Sequence, residues 1–203
     1  MSTNEVWEAL KDAPWERLSR IHGNCHSSII GLITGWWVDQ GDDYEALEGP
    51  PGFRSRRNAD AVLCRDSLPV GVLEVEGSQY AKKARTIGRY LCPVGRHKEL
   101  EGVGFGILVL YPISVSKKTG ETSLLSTPAV KQCLERTKEI TRMLDGSQVF
   151  VVAVDKRYEP EVGPVRTICQ NGYHRCRASR VQVVRFEAGD ETTPIEVWPR
   201  PPG

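Results

Sequence analysis

The sequence lacks an excess of charge of either sign, since 27 Lys and Arg residues stand against 26 Asp and Glu residues and the net charge is +1. This balance excludes a global basic field, so any nucleic-acid binding has to come from local patches. A long hydrophobic run is also missing, because Gly31, Thr34 and Gly35 interrupt the longest apolar stretch, residues 29–38. We therefore expect no membrane-spanning helix and no membrane partner. No charged-then-apolar leader follows Met1, so we expect no secretory signal.

The six cysteines lack the spacing of a disulfide framework, and several fall in strand or helix cores. This favours reduced thiols and a cytoplasmic location. Two small Cys/His clusters could together hold zinc, but their spacing matches no zinc ribbon or knuckle, and buried thiols with surface histidines explain them better. The clusters comprise His22, Cys25 and His26, and Cys169, His174 and Cys176.

Hydrophobic periodicity predicts an alternation of helices and strands in a single domain, because 39% apolar content in 203 residues suffices for a sizeable core. The strand–helix–strand–helix–strand order implies a parallel section with right-handed crossovers. Asn171-Gly172 indicates a hairpin in a β-rich end, which either extends the main sheet or forms an appendage. Helices are predicted over 4–18 (split at Pro14), 27–38, 80–91 and 127–144, and strands over 44–48, 59–64, 69–76, 104–113, 148–155, 181–186 and 195–198.

Acidic residues interrupt two of the short apolar strands. Glu74 and Glu76 alternate with Leu73 and Val75, so both acids point to the same face of their strand. Asp60, one strand earlier, reaches that face if the two strands pair as a hairpin. Carboxylates that converge in this way repel each other unless a cation lies among them, which predicts a site for a hard divalent metal.

Ala59-Asp60 is followed by thirteen residues and then by Glu74-Val75-Glu76. This spacing, together with the order of helices and strands over 27–155, resembles the restriction-endonuclease-like superfamily, which is named after its PD-(D/E)xK motif. The resemblance implies a three-layer α/β/α fold with a mixed central sheet, here followed by a β-rich C-terminal extension. It also implies Mg²⁺ or Mn²⁺ bound by Asp60, Glu74 and the Val75 carbonyl, with Glu45 or Glu48 as a further carboxylate. The metal would lower the pKa of a bound water and stabilise charge on the scissile phosphate.

The chain departs from the motif where the family has lysine, because Glu76 occupies that position. Glu76 then serves as a base or third metal ligand, or marks an inactive enzyme. Alternatively the lysine comes from the next helix, where Lys82 and Lys83 are the candidates. Tyr90 has Thr86, not glutamine, one turn before it, so a subgroup with a glutamine–tyrosine pair is not supported.

Two groups of basic residues lie next to the acids in sequence and are predicted to contact phosphates. One belongs to the loop before Asp60, and the other to one face of the helix after Glu76. Taken alone, that helix face is more typical of a solvated surface, and the prediction depends on its position directly after the acidic strand. The residues are Arg54, Arg56 and Arg57 in the loop, and Lys82, Arg85 and Arg89 on the helix.

These features predict a nuclease-like α/β core over 1–158 with a β-rich extension over 159–203. The predicted function is a metal-dependent nuclease that hydrolyses DNA by metal-activated water and, like many enzymes that cut two strands, forms a homodimer. A nuclease-like module that binds nucleic acid or assembles without catalysis is the main alternative. An α/β protein that binds a small molecule or nucleotide, with incidental acids, is the third.

Overall fold

In a computed structural model of the chain, the described residues are 2–20, 26–48, 59–92, 100, 102–112, 123–144, 146–158 and 176–199. The fold is mixed α/β, with one sheet and helices on both of its faces. Among the described helices, none is long and apolar enough to cross a membrane.

In the described part of the chain, four α-helices form where the periodicity predicts them. Helix α1 begins after a capping box in which the Ser2 and Glu5 side chains pair with each other's backbone N–H groups. Pro14 separates it from a 3₁₀ helix, as predicted. In α4, the Thr127 hydroxyl accepts a hydrogen bond from the Val130 N–H, and proline occupies the first turn. The bounds are Thr3–Lys11 for α1, His26–Val38 for α2, Tyr80–Leu91 for α3 and Pro128–Met143 for α4, with 3₁₀ helices at Trp15–Arg20 and Leu124–Ser126.

The eight strands of the described part form one mixed sheet in the order β1-β2-β3-β4-β5-β6-β7, with β8 also paired to β6. Strands β3, β4 and β5 are parallel, and the other neighbours are antiparallel. The predicted hairpin around Asn171-Gly172 lies outside the described residues. The strands are Tyr44–Glu48 (β1), Ala61–Arg65 (β2), Leu68–Glu76 (β3), Phe105–Leu110 (β4), Gln148–Tyr158 (β5), Cys176–Glu187 (β6), Asp190–Glu191 (β7) and Ile195–Trp198 (β8).

Alternation along the strands divides the core into two halves. Leu73 and Val75 of β3 face α1, the Trp15–Arg20 helix and α2, whereas Val72 faces α3 and α4. Trp37 of α2 is fully buried and donates its indole N–H to the Cys64 carbonyl at 2.9 Å. Strands β6, β7 and β8 continue the main sheet from β5. The described residues of the β-rich C-terminal end therefore extend the main sheet and do not form a separate appendage.

A glycine determines how closely α3 approaches the sheet. A Cβ at Gly106 of β4 would lie 2.6 Å from Cγ2 of Ile87, so only glycine leaves room for this buried side chain of α3. The contact places α3 directly over β3 and β4, with the side of the helix that carries Ile87 against the strands.

A buried ion pair stabilises the end of β5, and we expect its disruption to be costly. Asp155 is 1% exposed, receives two hydrogen bonds from Arg180 (2.8 and 2.5 Å) and accepts one from the Leu124 N–H (2.6 Å). Arg180→Gln leaves the buried carboxylate without its counter-charge and should lower the free energy of unfolding by about 3 kcal/mol. Arg136→Gln, which breaks an exposed pair with Glu139, should cost less than about 1 kcal/mol. Urea unfolding measures the loss of unfolding free energy in both variants, and equal losses in the two would contradict the prediction.

Candidate functional site

Asp60 is held against the acidic strand by its backbone and its side chain. It immediately precedes β2, and its N–H donates to the Leu73 carbonyl at 3.1 Å. Its carboxylate Oδ2 accepts a hydrogen bond from the Val75 N–H at 2.7 Å. Ala61 next to it packs toward α2, so alternation turns Asp60 to the face of the sheet that α3 covers.

Glu74 lies in the middle of β3 on this same face and is fully buried. Burial raises its pKa to about 7, although Lys83 and a hydrogen bond from Tyr90 act in the opposite direction. One carboxylate oxygen, Oε2, pairs with the Lys83 ammonium. The other, Oε1, has no hydrogen-bond partner among the described residues. An unsatisfied buried carboxylate oxygen is costly, and such an oxygen is a suitable ligand for a cation.

Lys83 reaches both acids from α3. Its ammonium forms an ion pair with Glu74 and lies 3.8 Å from Oδ2 of Asp60, and the side chain is 23% exposed. Desolvation lowers the pKa of Lys83, but the nearby Glu74, Asp60 and Glu76 carboxylates outweigh it and raise the pKa overall. Lys82, the other predicted candidate, points to solvent and bonds to Gln79 at 3.1 Å. The structure therefore brings Lys83, and not Lys82, to the acidic pair.

Glu76 has different partners from Glu74, although both lie on β3. Its carboxylate accepts a hydrogen bond from the Ser78 N–H at 2.8 Å. Partial burial raises its pKa, but the backbone N–H groups of Gln79, Ser78 and Gly77, together with Lys83, hold the pKa below its ordinary value. These amides directly precede α3, so the negative charge of Glu76 lies near the positive N-terminal end of that helix. A carboxylate stabilised in this way is a weak base.

The backbone geometry bears on the predicted role of Val75. The N–H and C=O of one residue in a strand point to the same side, and the Val75 N–H points toward Asp60. The Val75 carbonyl therefore also points toward the side of β3 on which Asp60 lies. The Val75 carbonyl is thus an oxygen that could join Asp60 in holding a cation.

The structure does not bring Glu45 to this cluster. Glu45 is exposed, lies opposite Cys64 in the β1–β2 register and accepts a hydrogen bond from the Ser67 hydroxyl at 3.5 Å. Cys64 is four residues beyond Asp60, which corresponds to a separation of roughly 13 Å along the strand. Glu48 points to the other face of the sheet, where it accepts a hydrogen bond from Thr34 of α2 at 3.1 Å.

Two residues near the cluster were not among the predicted site residues. His26, the first residue of α2, places its Nε2 atom 3.6 Å from Oδ2 of Asp60. Tyr90 of α3 hydrogen-bonds Glu74, and burial, followed by the charge of Glu74, raises the pKa of Tyr90 well above its ordinary value. The spacing of Lys83, Ile87 and Tyr90 at i, i+4 and i+7 is the sequence signal that could have identified Tyr90. For His26 no such signal exists, because α2 mainly covers the opposite face.

The predicted phosphate-contacting residues divide between described and undescribed parts of the chain. Lys82, Arg85 and Arg89 lie on the exposed side of α3, adjacent to the Lys83 side that faces the acids. Arg54, Arg56 and Arg57, and the zinc candidates His22, Cys25, Cys169 and His174, lie outside the described residues. The cysteines Cys64, Cys92 and Cys133 are free thiols.

The oxygen atoms of this cluster suit Mg²⁺ better than a metal ion whose ligands must all come from the protein. In the part of the chain that the structure describes, no three His, Cys, Asp or Glu side chains are arranged to hold a metal ion. Magnesium usually retains several waters and uses one or two carboxylates together with substrate phosphates. Asp60, Glu74 with its unsatisfied Oε1 atom, and the Val75 carbonyl meet that lower requirement.

Comparisons with protein-family models, with curated proteins and with solved structures give no match to this chain.

Proposed function

We propose that this chain is a Mg²⁺-dependent nuclease of restriction-endonuclease-like type that hydrolyses phosphodiester bonds of DNA. The observation that carries the proposal is the meeting of Asp60, Glu74 and Lys83, which come from the start of β2, the middle of β3 and the first turns of α3. The element order α2-β1-β2-β3-α3-β4-α4-β5 around this cluster supports the same assignment.

The proposal gives each residue of the cluster a separate role. Asp60, Glu74 and the Val75 carbonyl would hold Mg²⁺ (or Mn²⁺). When bound, the metal supplies positive charge to the phosphate and acidifies water. Lys83 takes the part of the motif lysine, and its ammonium, within reach of both acids, positions the attacking water or a phosphate oxygen. Glu76 occupies the motif's lysine position but keeps the start of α3 in place, so that Lys83 stays directed at the acids.

The exposed side of α3 supplies the surface for the substrate. Lys82, Arg85 and Arg89 are exposed on the helix that carries Lys83, so a phosphodiester backbone at the acids would pass along it. Cleavage of both strands of a duplex by one site per chain implies a homodimer, which belongs to the same proposal.

A nuclease-like module without catalysis is the second candidate, and one observation favours it. Lys83 pairs with Glu74, and the Val75 N–H pairs with Asp60, so each of the two acids already has a partner without a cation. In that case binding of nucleic acid survives the loss of Asp60 and needs no metal.

Cleavage of supercoiled plasmid and of single-stranded DNA, with Mg²⁺ or Mn²⁺ and with EDTA, tests the proposal. The wild type is expected to nick DNA only with metal. Asp60→Ala should reduce the rate at least about 1,000-fold, because the loss of a metal ligand removes several kcal/mol of transition-state stabilisation.

No cleavage by the wild type, with salt-sensitive DNA binding in both proteins, would replace the nuclease by the non-catalytic module. No affinity for a polynucleotide would favour the small-molecule-binding protein.

A further inference from the structure

Helix α2 lies along strands β1 and β2, on the face of the sheet opposite α3. In its last turn, Trp37 donates its indole N–H to the Cys64 carbonyl near the end of β2. One turn earlier, Thr34 donates its hydroxyl to Glu48, which is paired with the first residue of β2. Going back along α2 therefore means going back along β2. The start of α2 consequently lies at the end of the sheet where Asp60 precedes β2.

His26, the first residue of α2, contacts Asp60 at this end of the sheet. Its Nε2 atom lies 3.6 Å from Oδ2 of Asp60, and the two side chains are 36% and 17% exposed. This separation is longer than a hydrogen bond, so the contact is electrostatic. The low exposure of Asp60 reduces the screening of the contact by water. The positive end of the α2 dipole acts in the same direction.

Three donors from three elements converge on the same oxygen of Asp60. The Val75 N–H of β3 lies 2.7 Å from Oδ2, the His26 Nε2 atom of α2 lies 3.6 Å away, and the Lys83 ammonium of α3 lies 3.8 Å away. Lys83 approaches from one layer of helices and His26 from the other. Because Oδ2 is held from both layers, the carboxylate presents Oδ1 as the oxygen for a further ligand.

The direction of the Asp60 carboxylate matters if it binds a cation together with Glu74. Asp60 lies just before β2, and rotation of its side chain would turn Oδ1 away from Glu74. Groups that contact the ligands of a metal fix the direction of those ligands, and their loss usually weakens metal binding or activity about 10- to 100-fold. The contact with His26 is of this kind, because it restricts Asp60 from the side that α3 does not reach.

We propose that His26 is a positioning residue of the candidate metal site, which holds Oδ2 of Asp60 from the α2 side and directs Oδ1 toward a divalent cation shared with Glu74. The inference rests on the metal site of the proposed nuclease and deepens it, because it assigns a part in that site to the helix on the opposite face of the sheet. His26 acts through Asp60 and is not itself a ligand of the cation.

Titration calorimetry of the full chain with Mn²⁺ alone, in the absence of nucleic acid, tests the proposal. We expect His26→Ala to weaken Mn²⁺ binding about 10- to 100-fold. His26→Gln keeps a side-chain N–H donor and should restore most of the affinity. Ser27→Ala, which changes the exposed neighbour on α2, is the matched control and should bind Mn²⁺ like the wild type. Asp60→Ala measures binding elsewhere on the chain, and thermal melting checks that every variant is folded.

Comparison of two metals separates positioning from direct ligation by His26. Carboxylate oxygens favour Mn²⁺, whereas an imidazole ligand favours Ni²⁺. Loss of a positioning residue should weaken the binding of both metals by a similar factor. A loss in His26→Ala that is confined to Ni²⁺ would make His26 a ligand and overturn the proposal.

The remaining outcomes distinguish the positioning role from the nuclease function. Wild-type Mn²⁺ affinity in folded His26→Ala would overturn the positioning role and leave metal-dependent cleavage untouched. Weaker Mn²⁺ binding by His26→Ala, in a chain whose wild type cleaves no DNA, would support the positioning role and overturn the nuclease. A wild type that binds Mn²⁺ no better than Asp60→Ala would overturn both.

Discussion

Glu74→Gln is expected to abolish metal-dependent cleavage, with a fall in rate of at least about 1,000-fold. Glutamine has the shape of glutamate and fits the same buried position, but its neutral oxygen is a weak ligand for Mg²⁺. The Oε1 atom of Glu74 has no partner among the described groups, and the substitution removes the negative charge that the carboxylate offers to a cation there. Plasmid nicking at saturating Mg²⁺, with titration of the metal, measures the effect.

The matched control is Glu76→Gln, two residues away on the same strand. Glutamine still accepts hydrogen bonds from the amides before α3, and the favourable interactions of the charge with the helix start and with Lys83 are lost, the former about 0.3–1 kcal/mol of stability. We expect cleavage by this variant to stay within about tenfold of wild type, a loss of at most about 1.4 kcal/mol. Equal and complete losses in both variants would instead assign Glu76 a direct role as base or ligand.

Lys83→Gln is expected to reduce the cleavage rate about 100- to 10,000-fold, the usual range for a group that moves a proton or stabilises a developing charge. Among the described lysines, only Lys83 places an ammonium beside both acids; Lys82, its neighbour in the chain, is turned to solvent. Lys82→Gln should therefore reduce binding slightly and change the salt dependence by about one phosphate contact, leaving kcat nearly constant.

Separate measurement of kcat and KM distinguishes this role from a purely structural ion pair. A structural pair predicts that Lys83→Gln lowers the unfolding temperature while the folded enzyme cleaves at the wild-type kcat. A positioning role predicts a fall in kcat with little change in KM for DNA. Rate losses of the same size in Lys82→Gln and Lys83→Gln would contradict the assignment of Lys83.

Much of the secondary structure could be predicted because its signals are local. Apolar spacing and end signals place α3 at Tyr80–Leu91 and begin α4 at Pro128 with Thr127 as its cap, as the structure has them. Strand β5 is longer than the predicted 148–155, since its last residues are polar and have no strand signal of their own. Pairing with β6 extends it, and a partner distant in sequence cannot be inferred from local pattern.

The candidate site could be predicted in part. Alternation along β3 correctly turns Glu74 away from Leu73 and Val75, and pairing of β2 with β3 brings Asp60 beside Val75. Alternation also assigns Glu76 to the face of Glu74, but the backbone amides that follow β3 engage its carboxylate instead. Adjacent helical residues differ by about 100° in direction, so the choice between Lys82 and Lys83 requires the rotation of α3, which the contact of Ile87 with Gly106 determines.

By itself, the sequence determined the α/β class, nearly every element and the pair of acids, because these depend on periodicity and on spacing within one hairpin. Tertiary structure alone decided which lysine meets the acids, that His26 and Tyr90 lie beside them, and that Glu45 does not. Each of these depends on how separate elements pack, and the packing is set by contacts between residues far apart in the chain.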